Sequence, residues 1–292
     1  MIREAPLADL LDAAIDYAGL FPPAALPMDR AIEEYLQYRR SPDAWALGHL
    51  IAPASRLDEL LAALPNSASD VTVSATIGSD LDADHLGIDR FNQAGAGRRN
   101  AVVAAEAKVS APADIVRFAE RLRSLPCWYG EVTLSSPLGP VLDRLKAAGA
   151  RAKIRMGGVT PDSFPAPDAV AGFLAAVVAR RLPFKATAGL HHPVRGPYCL
   201  TYAADAPTGT MFGYLNLLAA THLTLSGARP AELEAVLQLS GPGVFRRDGD
   251  SLTWPGGRID GVAARELRQY FSGFGSCSFR EPIDELLPAM RP

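Results

Sequence analysis

Two lysines set in short apolar runs are the residues of this sequence best suited to chemistry. Arg151-Ala-Lys-Ile-Arg-Met-Gly-Gly158 carries Lys153, and Leu182-Pro-Phe-Lys-Ala-Thr-Ala-Gly189 carries Lys185; each run closes on glycine. Side chains alternate faces along a strand, so Lys153 and Arg155 point one way together, as do Lys185 and Thr187. A cation in mid-strand is costly to bury unless it has a partner or a task. If the two runs are neighbouring strands, their inner cations meet. A lysine crowded by cations has its charged form disfavoured, so its pKa falls. The neutral amine can then attack a carbonyl and form a Schiff base. Lys153 is the expected nucleophile, with Arg155 on its own face and Lys185 opposite. A carboxylate must move protons during such a reaction, and Glu131 is the first choice for it, Glu106 the second.

Other residues fall late in predicted strands, where a barrel would place its active site. Asp16, Glu106, Lys108, Glu131, Lys153, Arg155 and Lys185 all do so. Over four successive strands this sets four cations, Lys108, Lys153, Arg155 and Lys185, against two carboxylates, which favours an anionic substrate such as a phosphate or carboxylate. Gly157, Gly158, Gly189 and Gly275 permit close backbone approach to a ligand, and Ser276 and Ser278 offer hydroxyls beside it. His191-His192 suggests substrate contact, with at most one ring facing a given ligand. Neither a His-x-His nor a His-x3-His spacing is present, so no metal and no cofactor is expected. Cys277 is read as a small buried hydrophobe, and His49, His85 and His222 as structural.

The elements that must position these groups follow an alternating pattern. Strands are expected at 15–21, 45–52, 71–77, 101–109, 128–134, 151–158, 183–188 and 274–279. Helices are expected between them at 28–40, 56–64, 80–94, 112–122, 138–148 and 166–181. The rhythm breaks from Gly196 to about Arg265, where two helices (211–226 and 230–239) and a hairpin turning at Asp248-Gly249 are expected. A helix over 261–271 then leads to the last strand. Eight strands, seven followed directly by helices, predict an α/β fold: a (β/α)8 TIM barrel with an insertion between strands 7 and 8. The whole chain, 1–292, is read as a single barrel domain with the inserted segment at about 196–265.

Composition sets the outer limits. The 292 residues are 48% hydrophobic and 21% charged, ordinary for a globular chain and long enough for one large barrel. A net charge of −3 argues against a nucleic-acid partner, which usually asks for a basic face. No apolar run approaches a membrane span. Met1–Pro6 carries an acid and no signal-peptide core, and the three scattered cysteines do not form a disulfide framework. A cytoplasmic location is therefore expected, with a small anionic metabolite as partner, no membrane and no nucleic acid; a homo-oligomer is compatible with the sequence.

In chain order, these residues resemble the deoxyribose-phosphate aldolase group of Schiff-base lyases. Ile15-Asp16 through Leu20, Pro22 and Ala24 resembles the family's opening motif, and Ile77-Gly78 the end of its third strand. Glu131 falls where the family carries a glutamate on strand five. Lys153 to Gly157 is similar to its Lys-Thr-Ser-Thr-Gly, Phe184-Lys185 to Gly189 to its Phe-Lys-x-x-Gly-Gly, and Phe274-Gly-Ser-Cys-Ser278 to its phosphate-binding Phe-Gly-x-Ser-Ser. The resemblance implies a Schiff base on Lys153, tuning by Lys185 and a phosphate subsite on the last strand. Ile154-Arg155 replaces the family's threonine-serine pair, and Leu190-His191-His192-Pro193 replaces its second glycine and the residues beyond it. The family's strand-four acid would align near Ala104, where the nearest acid is Glu106. The expected activity is thus a class I aldolase or other lyase on a small phosphorylated or carboxylated carbonyl compound other than deoxyribose 5-phosphate. The rival expectations are a barrel enzyme using Glu106 or Glu131 with His191 or His192 in metal or acid/base catalysis, and a non-catalytic barrel that binds an anionic metabolite.

Overall fold

In a computed structural model, which describes residues 6–134 and 137–290, eight parallel strands close into a barrel. They are β1 (Ile15–Tyr17), β2 (Leu47–Pro53), β3 (Thr72–Thr76), β4 (Ala101–Val109), β5 (Cys127–Val132), β6 (Arg151–Arg155) and β7 (Phe184–Thr187). Two more strands, β8 (Gly196–Cys199) and β9 (Thr208–Met211), form a hairpin. A further three, β10 (Arg246–Asp248), β11 (Ser251–Trp254) and β12 (Gly257–Ile259), form a small antiparallel sheet, and β13 (Phe271–Ser276) completes the barrel between β7 and β1. Helices run between successive barrel strands, so the fold is the (β/α)8 TIM barrel that the alternation predicts. Residues 1–5 of the stretch read as lacking a signal core lie outside the described residues. No described helix is long and apolar enough to cross a membrane.

The strands are buried on both faces, the expected state of a parallel sheet covered by helices. Outward residues pack on the helical layer: Phe184 meets Phe173 of the helix Pro167–Ala179 edge to face at 5.4 Å, and Phe271 of β13 at 5.5 Å. Inward residues alternate with them, and this alternation points Lys153 and Lys185 into the barrel. In register, Lys153 pairs with Glu131 on one side and Lys185 on the other.

Several expectations about elements need correction: β1 ends at Tyr17 and β6 at Arg155, both short of their expected bounds, and the helix from Gly261 ends at Arg268. The last barrel strand is Phe271–Ser276, not 274–279, so Cys277 and Ser278 lie in the turn beyond it. The β10–β11 turn is Gly249-Asp250, one residue later than expected, because Asp248 is already paired with Ser251 and Gly249 takes a left-handed φ of 56°. The segment 196–265 is only partly an insertion. Its helix Tyr214–Leu225 packs between Pro167–Ala179 and Gly261–Arg268 with Tyr214 through Thr221 all buried, which makes it the barrel's own helix after β7. The additions are the β8–β9 hairpin, for which the sequence pattern predicts no element, and the β10–β12 sheet.

Asn216 anchors the chain around that hairpin. Fully buried, it accepts from the Arg195 N–H at 2.9 Å and donates to the Val236 and Leu239 carbonyls, both at 2.8 Å. A side-chain amide with all three bonds made in the core fixes the start of β8 against the helix Pro230–Leu237. Leu200 and Met211, at the end of each hairpin arm, consequently sit over the mouth of the barrel.

Candidate active site

The C-terminal end of the barrel opens into a cavity of about 500 Å³. Glu106, Lys153, Arg155, Thr187 and Gly275 border it from the strands, and Gly157, Gly158 and Gly189 from the turns beyond. His191 lines one wall, and Leu200 and Met211 the hairpin side.

A chain of alternating charges lies at its base. Lys185 Nζ donates to Asp16 Oδ2 and, at 2.7 Å, to Glu106 Oε1. Lys153 Nζ lies 2.6 Å from Glu106 Oε2 and 2.8 Å from Glu131 Oε2, and Arg155 Nε donates to Glu131 Oε1 at 3.1 Å. Ser74 Oγ donates to Glu106 Oε1 at 2.7 Å, and the His49 N–H to Asp16 Oδ1 at 2.6 Å. Gly48 makes this last bond feasible, since a β-carbon there would collide with the Asp16 carboxylate. The Tyr129 ring lies 5.2 Å from Lys185 Nζ and supplies an aromatic face to the cation.

The two lysines are held differently. Both contacts of Lys185 are aligned hydrogen bonds, and the residue is 1% exposed. The contacts of Lys153 are close ion pairs with one oxygen each of Glu106 and Glu131, and its side chain is 6% exposed. Lys153 borders the cavity, whereas Lys185 lies outside its lining. Burial opposes charge on Lys185, but Asp16 and then Glu106 outweigh it and raise the amine well above the ordinary lysine value. Burial likewise opposes ionisation of Glu106, yet Lys153 and Lys185 hold its carboxyl far below the usual range. Glu131 is lowered in the same way, with burial outweighed by Lys153 and Arg155.

This overturns one expectation. The cations do not crowd one another, because a carboxylate lies between each pair: Glu106 separates Lys153 from Lys185, and Glu131 separates Lys153 from Arg155. Lys108 is exposed and stands apart from the cluster, while Asp16 joins it. The group is therefore balanced, with Asp16, Glu106 and Glu131 against Lys153, Lys185 and Arg155. Amines on adjacent inward positions draw in carboxylates, since an unpaired charge at that depth costs several kcal/mol, roughly.

The remaining expected residues divide. Ser276 is buried, with its Oγ 3.2 Å from His191 Nδ1, and Ser278 accepts from the Glu281 N–H at 3.2 Å; neither borders the cavity. His192 faces a side chamber of about 170 Å³, where its ring stacks on Tyr198 at 3.5 Å and its Nδ1 meets Glu285 at 2.7 Å. Contrary to the expectation that at most one ring would face a given ligand, both histidines line this chamber, with ring centroids 6.3 Å apart, and His191 borders the main cavity as well. Sequence reasoning missed Ser74, Tyr129, Tyr202 and Glu281. Ser74 and Tyr129 had a signal available, since each lies on a strand next to or bearing a named acid. Among the described residues, no three His, Cys, Asp or Glu are grouped as metal ligands.

The fold and site together define a TIM barrel with a charge-paired lysine bordering the cavity at the C-terminal end of its strands. No family model, curated protein or solved structure matches the chain.

Proposed function

We propose that this barrel is a lyase of the class I aldolase type, with Lys153 forming a Schiff base to a small carbonyl compound that bears an anionic group. One observation carries the reading. Lys153 borders the cavity with its amine against Glu106 and Glu131, while Lys185 is held behind it by Asp16 and Glu106, outside the lining. The resemblance to the deoxyribose-phosphate aldolase group supports the same assignment, and Glu106 stands between the lysines despite its offset from the family's acid.

To attack a carbonyl, Lys153 must lose a proton. The carboxylates beside it are strongly ionised partly because the Lys153 cation faces them. Transfer of that proton removes one charge from each side and leaves a neutral pair, which a water-poor cavity tolerates. Glu131 is the better receiver, because the cation on its other oxygen, Arg155, is half exposed, whereas Glu106 keeps the buried Lys185 cation on its other oxygen. The receiving acid can then return the proton as the carbinolamine loses water. Lys185 contributes a fixed positive charge that keeps Glu106 ionised and in place. Arg155, about half exposed at the cavity rim, is placed to meet a substrate phosphate or carboxylate.

Borohydride trapping tests the assignment. Incubation with acetaldehyde, acetone, pyruvate or dihydroxyacetone should leave a reduced adduct of the carbonyl mass on Lys153, and Lys153→Leu should abolish it. Failure of every carbonyl to trap on the parent protein would remove the Schiff base and leave acid/base chemistry or ligand binding as the use of this cavity.

A further inference from the structure

On the wall of the cavity away from the lysine chain, His191 lies among groups that neither Lys153 nor its carboxylates touch. Its Nδ1 lies 3.2 Å from Ser276 Oγ, 3.5 Å from Cys277 Sγ and 3.4 Å from Glu281 Oε2. These come from the end of β13, the turn after it and the short helix Arg280–Asp284. Tyr202, from the loop between β8 and β9, donates to or accepts from Cys277 Sγ at 3.4 Å, and the His192 ring centroid is 6.3 Å away. All directed contacts of the imidazole therefore use one nitrogen. Nε2 has no partner among the described residues, and the ring borders both the main cavity and the side chamber.

A buried histidine held on one nitrogen by a carboxylate, with the other nitrogen free beside a cavity, is built for proton transfer. We infer that His191 is a catalytic residue that exchanges a proton with the substrate hydroxyl two carbons beyond the atom joined to Lys153, with Glu281 as its positioning residue. The inference rests on the Schiff-base reading of Lys153. In the cleavage direction the C–C bond between the α- and β-carbons breaks, and its electron pair passes into the iminium to give a neutral enamine. The β-hydroxyl O–H bond breaks at the same time; its electrons form the new carbonyl, and its proton goes to His191 Nε2. In the addition direction the enamine attacks the acceptor aldehyde, and His191 returns that proton to the forming alkoxide. No other reactant is required.

The chemistry of the surroundings matches this role. Burial works against a charged ring, but the contacts to Cys277 and Glu281 outweigh it and raise the imidazole to about 9. Glu281 is lowered in turn, with burial overcome by His191. At neutral pH the ring is therefore a cation, ready to act as acid in the addition direction. The side chamber is lined by His191, His192, Tyr198, Thr201, Tyr202 and Glu281 among others, with neither lysine nor arginine. A substrate arm entering it would be uncharged and hydroxyl-bearing, because the one cation there, His191, is already paired with the Glu281 carboxylate.

The test uses the full chain with pyruvate or acetaldehyde as donor and glyceraldehyde as acceptor. His191→Gln should slow C–C bond formation by about 100-fold or more, while borohydride still traps the donor on Lys153. Glu281→Gln should move the alkaline limb of the addition rate, expected near pH 9 in the parent, to lower pH, with kcat affected more than KM. Retained trapping with turnover in His191→Gln within about threefold of the parent would overturn the role of His191 alone. So would an alkaline limb that Glu281→Gln leaves in place, a result that needs no histidine variant to fold. Absence of trapping in the parent would instead overturn the Schiff base and this inference with it.

Discussion

Lys153 and Lys185 are register partners on adjacent strands, yet their amines meet through the two oxygens of Glu106 rather than facing each other. One carboxylate thus couples a cation that borders the cavity to one that does not. Cation-on-cation crowding would have made the nucleophile by repulsion. The bridge acts differently: it keeps an ionised carboxylate beside Lys153 and the inner lysine charged.

Glu106→Gln should therefore be costly. The substitution keeps the shape of the side chain but leaves Lys185 with Asp16 and Lys153 with Glu131 as sole carboxylate partners. Removing one member of a buried ionic network costs about 3–5 kcal/mol, and a loss of that order is expected in urea unfolding. The double variant Glu106→Gln/Lys185→Met should be less destabilised than the sum of the singles, with a coupling of about 0.5–3 kcal/mol. Additive losses would mean that the bridge carries no energy of its own.

Acid should weaken the fold through the same carboxylates. Glu106 and Glu131 are depressed in the folded state, with burial outweighed by the lysines, so their stabilisation is fully present above the unfolded value of about 4.3. It is lost as pH falls below that value toward the folded pKa. Unfolding free energy measured from pH 6 down to pH 3 should decline, and Glu131→Gln should flatten the decline below pH 4.5. An unchanged slope in that variant would place the acid sensitivity elsewhere. The opposite sign holds for His191: its contribution is present below about 6.5 and fades as pH rises through about 9.

The barrel was legible because apolar runs of strand length alternate with amphipathic helices, and the boundaries of β4 are those the sequence predicts. The inward direction of both lysines followed from alternation alone. Their partners did not. Asp16 could be seen as a charged residue in a strand, but its contact with Lys185 depends on ring closure, which sets β1 beside β13 and β7 beyond it. Glu106 comes second to Glu131 in the sequence reading, whereas in the barrel its two oxygens meet both amines. Glu281 carried no signal at all. It lies beyond β13 on a short helix and reaches His191 only through the folding of the β7–β8 connection over the cavity.

Arg155 separates binding from stability. Its side chain is 49% exposed, so its pair with Glu131 is worth about 0–1 kcal/mol. Arg155→Ala should leave the unfolding midpoint nearly unchanged. It should also raise KM for an anionic carbonyl donor such as pyruvate relative to a neutral one such as acetone, by about tenfold for a lost charge-assisted hydrogen bond of about 1.4 kcal/mol. Equal effects on both donors would show that the guanidinium does not read substrate charge.

Gly189 sets the floor of the cavity next to His191 and takes a left-handed φ of 66°. A β-carbon there would lie 2.9 Å from the Gly157 Cα, 3.0 Å from Phe164 Cε1 and 3.1 Å from the Met156 carbonyl. Two of these neighbours are backbone atoms of the turn after β6, so they cannot swing away as a flexible side chain would. Gly189→Ala should cost about 1–3 kcal/mol of stability from the strained backbone. It should also push the turns after β6 and β7 apart, and with them Lys153 and His191, the two groups proposed to work on the carbonyl and β-carbons of one substrate. C–C bond formation should then fall further than borohydride trapping does, since trapping needs Lys153 alone. If the two readouts fell together, the turn would support only the lysine, and the spacing between the two walls would have no part in the reaction.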